Sequence, residues 1–285
     1  MKLGSVPPRS LDSPLRWVGS KRHLKATLGG IRASLGGVRV IDPFVGGCSA
    51  LLALGPGDFV GGDMNAELVE FLGACVRGSS DVWQEVCVWE DSREEYERVK
   101  ALVTPPGSVI AAARFLYLNR CSYMGLYRMN RRGEFNVPYG GGGRLHVSLM
   151  QERLKALGER LGEGTLVMRS FEETLSFAED GDLVFLDPPY ARTGVPGFNR
   201  YSADGFDDSS HRSLAALACS LSRSCTVVVT IHPGDGGPDD PWLKVLSTWT
   251  RLKVAPSERL RNGELLLSSR PLGGVDGRGH YLGPR

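Results

Sequence analysis

Short apolar runs recur along the chain and alternate with longer stretches of helical spacing. Val38-Arg39-Val40-Ile41, Phe59-Val60-Gly61-Gly62, Thr165 to Met168, Leu183-Val184-Phe185-Leu186 and Thr226 to Ile231 read as buried strands. Between them, helical spacing runs from Arg22 to about Leu28, on from about Ala50, from Ala66 to Lys100 and from Val109 to Asn119. It returns from Leu149 to Leu161, and then to about Arg223 behind a cap at Asp208 or Ser209. Trp83, Trp89 and Tyr96 are expected to pack inward. Strands alternating with helices predict an α/β fold with a mostly parallel sheet. Trp242 to Val254 and Glu264 to Ser268 are expected to add the last strands. Residues 1–13 read as a flexible leader and the glycine-rich tail from Gly273 as disordered.

Leu183-Val184-Phe185-Leu186-Asp187-Pro188-Pro189-Tyr190 is the most informative run. A buried strand ends on Asp187, and two prolines forbid its continuation. A carboxylate, proline carbonyls and an aromatic ring are thereby held at the carboxyl end of a strand, where ligands bind in open α/β sheets. This set suits methyl transfer to an exocyclic amine. The lone pair of adenine N6 is delocalised into the ring. Preorganised acceptors for its hydrogens draw the nitrogen towards tetrahedral geometry and localise the pair for attack.

An earlier strand leads into Asp42-Pro43-Phe44-Val45-Gly46-Gly47-Cys48-Ser49 and then an apolar helix, the mononucleotide-binding arrangement. The next strand ends in Asp63-Met64-Asn65. Asp63 suits ribose hydroxyls, or it caps a helix, a role Asn65 can also take. Phe171, at the end of the Thr165 strand, suits a cofactor base or the core. Trp17 and Lys21 frame a tight glycine turn at a helix start.

Between Arg114 and Arg144 lie six arginines, no lysine and one acid, Glu134. They interleave with Tyr123, Met124, Tyr127 and Tyr139, and Asn130-Arg131-Arg132-Gly133 reads as a hairpin turn. Arginines on a hairpin can contact phosphates or pair with guanine, and an apolar tip can wedge between bases. The net charge is only +2, so nucleic-acid binding rests on this local cluster. The six cysteines form no Cys-x-x-Cys pair, and the five histidines are scattered, so no metal site is expected. No stretch reads as a membrane span or a signal-peptide apolar region, and the expectation is a cytoplasmic protein.

In this order the motifs resemble the Dam-type, α-group DNA N6-adenine methyltransferases over about residues 14 to 235. The resemblance is most specific from Leu118-Asn119-Arg120 through Gly133-Glu134-Phe135-Asn136-Val137-Pro138-Tyr139-Gly140. It implies a Rossmann-like methyltransferase sheet at 14–75 and 149–270, an inserted helical and β-hairpin target-recognition domain at 76–148, and flexible termini at 1–13 and 271–285. It implies S-adenosyl-L-methionine as cofactor and double-stranded DNA as partner, with a GATC-like site. Asp187, Pro188, Pro189 and Tyr190 would be catalytic. Trp17, Lys21, Pro43, Phe44, Gly46, Asp63, Met64, Phe171 and Asp187 would meet the cofactor. Arg16, Tyr123, Met124, Arg128, Asn130, Arg131, Arg132, Asn136 and Tyr139 would meet DNA.

This chain departs from the family in four places. Met124 stands where asparagine is frequent. Cys48 adds a side chain where Gly-x-Gly allows close backbone approach. The usual asparagine before His232 is missing, and the segment from Pro256 to Leu267 is short. An N4-cytosine or RNA adenine methyltransferase, a protein glutamine methyltransferase and a decayed DNA-binding scaffold remain as alternatives.

Overall fold

The computed structural model describes residues 12–130, 132–143, 145, 149–189, 206–231, 240–255, 257–260, 264–272, 274–275 and 281–282. Expectations that fall on the leader to Leu11, Arg131, Arg144, Tyr190, the 191–205 loop and His232 lie outside the described residues.

A 3-10 turn at Arg22–Leu24 leads into α1 (Lys25–Ser34), followed by β1 (Val40–Asp42), α2 (Ser49–Leu54), β2 (Phe59–Gly62) and α3 (Ala66–Cys87). Then come α4 (Arg93–Lys100), α5 (Val109–Cys121), α6 (Met150–Leu161), β3 (Thr165–Val167), α7 (Phe171–Leu175) and β4 (Leu183–Leu186). The chain closes with α8 (Asp208–Leu221), β5 (Thr226–Ile231), α9 (Leu243–Thr248), β6 (Thr250–Arg251), β7 (Leu265–Ser268), β8 (Gly274–Val275) and β9 (Tyr281–Leu282).

The main sheet has the order β3-β2-β1-β4-β5-β7-β6. The first five strands pair in parallel, and β7 runs antiparallel to both β5 and β6. Every residue of β1, β2, β4 and β5 is buried, as apolar strands covered on both faces must be. Their period of two divides the core. Val40, Phe59, Leu183, Phe185 and Val228 face α1, α3, α5 and α6. Ile41, Val60, Val184, Leu186 and Val229 face α7 and α8.

The helix starts are chemically defined. Asn65 accepts from the Leu68 N–H at 3.1 Å and caps α3, and Ser170 with Glu173 forms a capping box on α7. The cap of α8 is Asp207, which accepts from Ser210 N–H at 2.8 Å, rather than Asp208 or Ser209. Two expected boundaries also shift. Trp242 to Val254 is α9 and the short β6, because Trp242, Val245, Leu246 and Trp249 recur at helical spacing and pack together under the sheet. The tail is not wholly irregular, since β8 and β9 pair beyond Gly273.

The α3 helix continues past the expected boundary at 75/76 and kinks at Gly78, whose backbone is non-helical. Trp89, Tyr96, Tyr117 and Leu145 share one continuous core with Val40, Leu51 and Phe59. Among the described residues, the segment 76–148 packs onto one face of the sheet and shares this core.

Candidate active site

Strand order reverses between β1 and β4, and the crevice outside their carboxyl ends is the expected ligand site. Asp42 ends β1 and Asp187 follows β4. The Asp187 side chain is 19% exposed, and its Oδ1 accepts from Lys21 Nζ at 2.8 Å and from Thr230 Oγ1 at 2.6 Å. Thr230 comes from the neighbouring β5 and is fully buried. Lys21 also reaches Glu264 Oε1 at 3.0 Å and the Gly19 carbonyl at 2.9 Å. Glu264, directly before β7, holds His23 Nε2 at 3.1 Å through its other oxygen. The Lys21 cation, 2% exposed, is thus shared between two carboxylates. Pro188 is buried behind Asp187 and Pro189 is exposed.

Asp42 is buried more completely. Its Oδ1 accepts from Phe44 N–H at 3.1 Å, and its Oδ2 has no hydrogen-bond partner among the described residues. Burial pushes this carboxyl up to about 8, and the nearby Asp187 and Asp63 charges push the same way against the Phe44 N–H.

The turn after β1 is covered by Trp17. Gly46 has φ 44°, and a Cβ there would lie 2.8 Å from Trp17 Nε1, so glycine is required. Asp63 spans the gap from β2: its Oδ2 accepts from Gly46 N–H at 3.0 Å and its Oδ1 from Asn65 N–H at 2.9 Å. Burial raises the Asp63 pKa, opposed by the N–H donors of Asn65, Gly46 and Met64. Asn65 is therefore the cap of α3, and Asp63 instead holds the backbone of the glycine turn and of Asn65. Met64 is 58% exposed beside them.

Cys48 adopts φ 59° at the start of α2, but its thiol is wholly buried in the core. The side chain does not stand on the surface of the turn, as its place in the motif had suggested. Pro43 is buried. Phe44 stacks on Phe171 at 5.9 Å between centroids, and Phe206 closes this group edge-on to Phe44 at 5.7 Å.

The basic hairpin forms as the turn chemistry predicts. Asn130 N–H donates to Glu134 O at 2.8 Å, and Gly133, at φ 75°, donates to Asn130 O at 3.0 Å. The Asn130 side chain is committed to this turn, accepting from the N–H groups of Arg132 and Glu134. Arg128 and Arg132 are exposed, and Arg128 Nε donates to Asn136 Oδ1 at 2.8 Å. Tyr123 and Met124 are 53% and 63% exposed at the hairpin base, where Met124 has φ 54°. Arg16 lies against Gly125, because the buried Asn119 grips the Arg16 backbone through both N–H and C=O, each at 2.8 Å.

Tyr139, like Asn130 and Asn136, is half-buried. Its hydroxyl donates to Asp91, and its ring packs 5.4 Å from Tyr96, so its contacts are internal.

Sequence reasoning missed Thr230, Glu264 and Asn119 as supports of this site. A lone hydroxyl in the apolar run Thr226 to Ile231, and an acid directly before Leu265-Leu266-Leu267, were the available signals. Among the described residues no group of three or more histidine, cysteine or acidic side chains is arranged to hold a metal ion, and no helix is long and apolar enough to cross a membrane.

Comparison with known proteins returns the same chemistry. The chain is 31% identical over 235 residues to a DNA adenine methylase of Serratia marcescens, covering 78% of this chain and 83% of that one. It is 29% identical over 251 residues to a DNA adenine methylase of Salmonella typhimurium, covering 85% and 87%. It is 28% identical over 217 residues to the retron Ec67 DNA adenine methylase of Escherichia coli, covering 73% and 72%. A family model described as D12 class N6 adenine-specific DNA methyltransferase matches residues 17–239, which takes in both strand-end carboxylates, the glycine turn and the hairpin. With Asp187 held at the switch point of such a sheet, the chain belongs to the D12 class of N6 adenine-specific DNA methyltransferases.

Proposed function

We propose that the methyl donor is S-adenosylmethionine and the acceptor an adenine flipped out of duplex DNA at a GATC-like site. The observation that carries this reading is Asp187 at the β4 end, oriented by Lys21 and Thr230. The residues present fit the cofactor. Asp42 Oδ2 is a buried polar atom without a protein partner among the described residues, beside a glycine turn covered by an indole. Trp17, Gly46, Asp63, Met64 and Phe44 with Phe171 would hold it, with Pro43 buried behind the turn. When bound, S-adenosylmethionine supplies a methyl group on an electron-poor sulfur.

The chain's own residues do the rest. Asp187 and the Pro188 carbonyl accept the two amine hydrogens, which localises the N6 lone pair. The bound donor would supply its methyl group to N6, leaving its sulfur neutral, and Asp187 is placed to take the proton that N6 would release. Tyr190 stacks on the base. Flipping that base costs about a few kcal/mol, supplied by the segment 76–148: Tyr123 and Met124 enter the gap, and Arg16, Arg128 and Arg132 hold and read the duplex.

The test uses labelled S-adenosylmethionine with two duplexes, one carrying a single GATC and one with that site scrambled. Label on adenine N6 of the first only, lost in Asp187→Ala, is the expected result. Equal labelling of both discards the site. Near-normal rates in Asp187→Ala discard the assigned chemistry.

A further inference from the structure

The glycine turn and the basic hairpin meet at one side chain, Tyr127. It is 6% exposed and directly precedes Arg128. Its ring stacks on Trp17, with centroids 6.0 Å apart and planes at 29°. Trp17 in turn covers Gly46 and Gly47, where an added Cβ would come within 2.8 Å of its side chain at either position. The Tyr127 hydroxyl donates to Glu67 in the first turn of α3. Two residues earlier stands Asn65, whose N–H is held by Asp63. Phe115 at 5.1 Å and Phe135 at 5.6 Å enclose the ring, and Arg114 Nη1 lies 3.8 Å from the Glu67 carboxylate.

One hairpin residue therefore touches Trp17, which covers Gly46 and Gly47, and Glu67, in the helix turn whose cap residue Asp63 holds. Packed interiors repack between discrete arrangements and do not stretch. A shift of the hairpin strand carrying Arg128 must break or carry along one of these contacts.

We propose that Tyr127 is a positioning residue that couples duplex binding at the hairpin to cofactor affinity at the Gly46–Asp63 turn, an inference that rests on the function proposed above. Coupling between binding sites is reciprocal, so the cofactor must raise duplex affinity by the factor by which duplex raises cofactor affinity. A merely structural tyrosine would affect stability and leave this factor alone.

The experiment measures S-adenosylhomocysteine affinity by calorimetry, without and with a saturating GATC duplex, on the full chain. The wild-type affinities should differ by about fivefold or more, the lower range of measured couplings. In Tyr127→Leu the ratio should fall to within about twofold of one while both ligands still bind. Tyr127→Phe keeps the buried ring and removes only the Glu67 contact, so it should show an intermediate ratio. It also decides the matter if the leucine variant does not fold. A wild-type ratio of one overturns the proposal, as does a wild-type ratio retained in the folded variants. No S-adenosylhomocysteine binding by the wild-type chain would overturn the cofactor assignment and the coupling together, an outcome distinct from binding without coupling.

Discussion

Asp42→Asn tests the pH dependence that the buried Asp42 carboxyl predicts. The Asp42 pKa is about 8 in the folded protein, chiefly because burial disfavours its charge. In the unfolded chain it returns to about 4. Between those values the folded state holds a proton that the unfolded state has released, so stability falls as pH rises. The slope is about 1.4 kcal/mol per pH unit, and four units set an upper bound of about 5 kcal/mol. Local relaxation and water entry reduce such penalties, and we expect about 2–3 kcal/mol. Asparagine has the shape of the protonated acid and can still accept from Phe44 N–H, but it does not titrate.

The stability advantage of Asp42→Asn over the wild type should therefore grow from about pH 5 to about pH 8 and then level off. The other carboxylates are common to both proteins. Urea unfolding at constant ionic strength measures it, with equal m-values as the control. Two stability curves that stay parallel within about 0.5 kcal/mol would refute the buried, protonated Asp42.

Three further outcomes follow from the contacts. Glu264→Gln leaves Lys21 its Asp187 partner and should lower stability by about 1–3 kcal/mol, whereas Lys21→Met takes the shared cation from two carboxylates and should lower it by about 3–5 kcal/mol. Equal losses in urea unfolding would count against a shared cation. Tyr139→Phe should lower stability by about 1 kcal/mol through the lost Asp91 bond, with duplex affinity by anisotropy unchanged within about twofold. A large affinity loss would return Tyr139 to the DNA face. Arg128→Ala should relax base preference at one position by about 1–3 kcal/mol, read from methylation of singly substituted duplexes. Uniform weakening over all sequences would make Arg128 a phosphate contact.

The parallel strands and the strand-end carboxylates were legible in the sequence, because each rests on neighbouring residues. Leu183 to Asp187 names a buried strand and its acid in five letters. The support of that acid was not legible. Lys21 stood out, but Glu264 lies far along the chain and Thr230 sits inside an apolar run, and only the sheet order brings them together. The internal contacts of Tyr139 were equally illegible, since only the fold reveals Asp91 and Tyr96 beside it. Trp242 to Val254 holds a strand only at Thr250–Arg251, because short apolar runs carry both periods and burial under the sheet made a helix of Leu243–Thr248.

The core that continues past 75/76 bears on how the hairpin segment can be altered. Tyr96 and Tyr117 lie in the same core as β1 and β2, so a graft of residues 76–148 from a relative would have to match that core to fold. Arg128 and Arg132 stand in solvent and carry no such constraint. Randomising those two positions should therefore leave a larger share of variants folded than exchanging the segment, a difference that a folding screen would read.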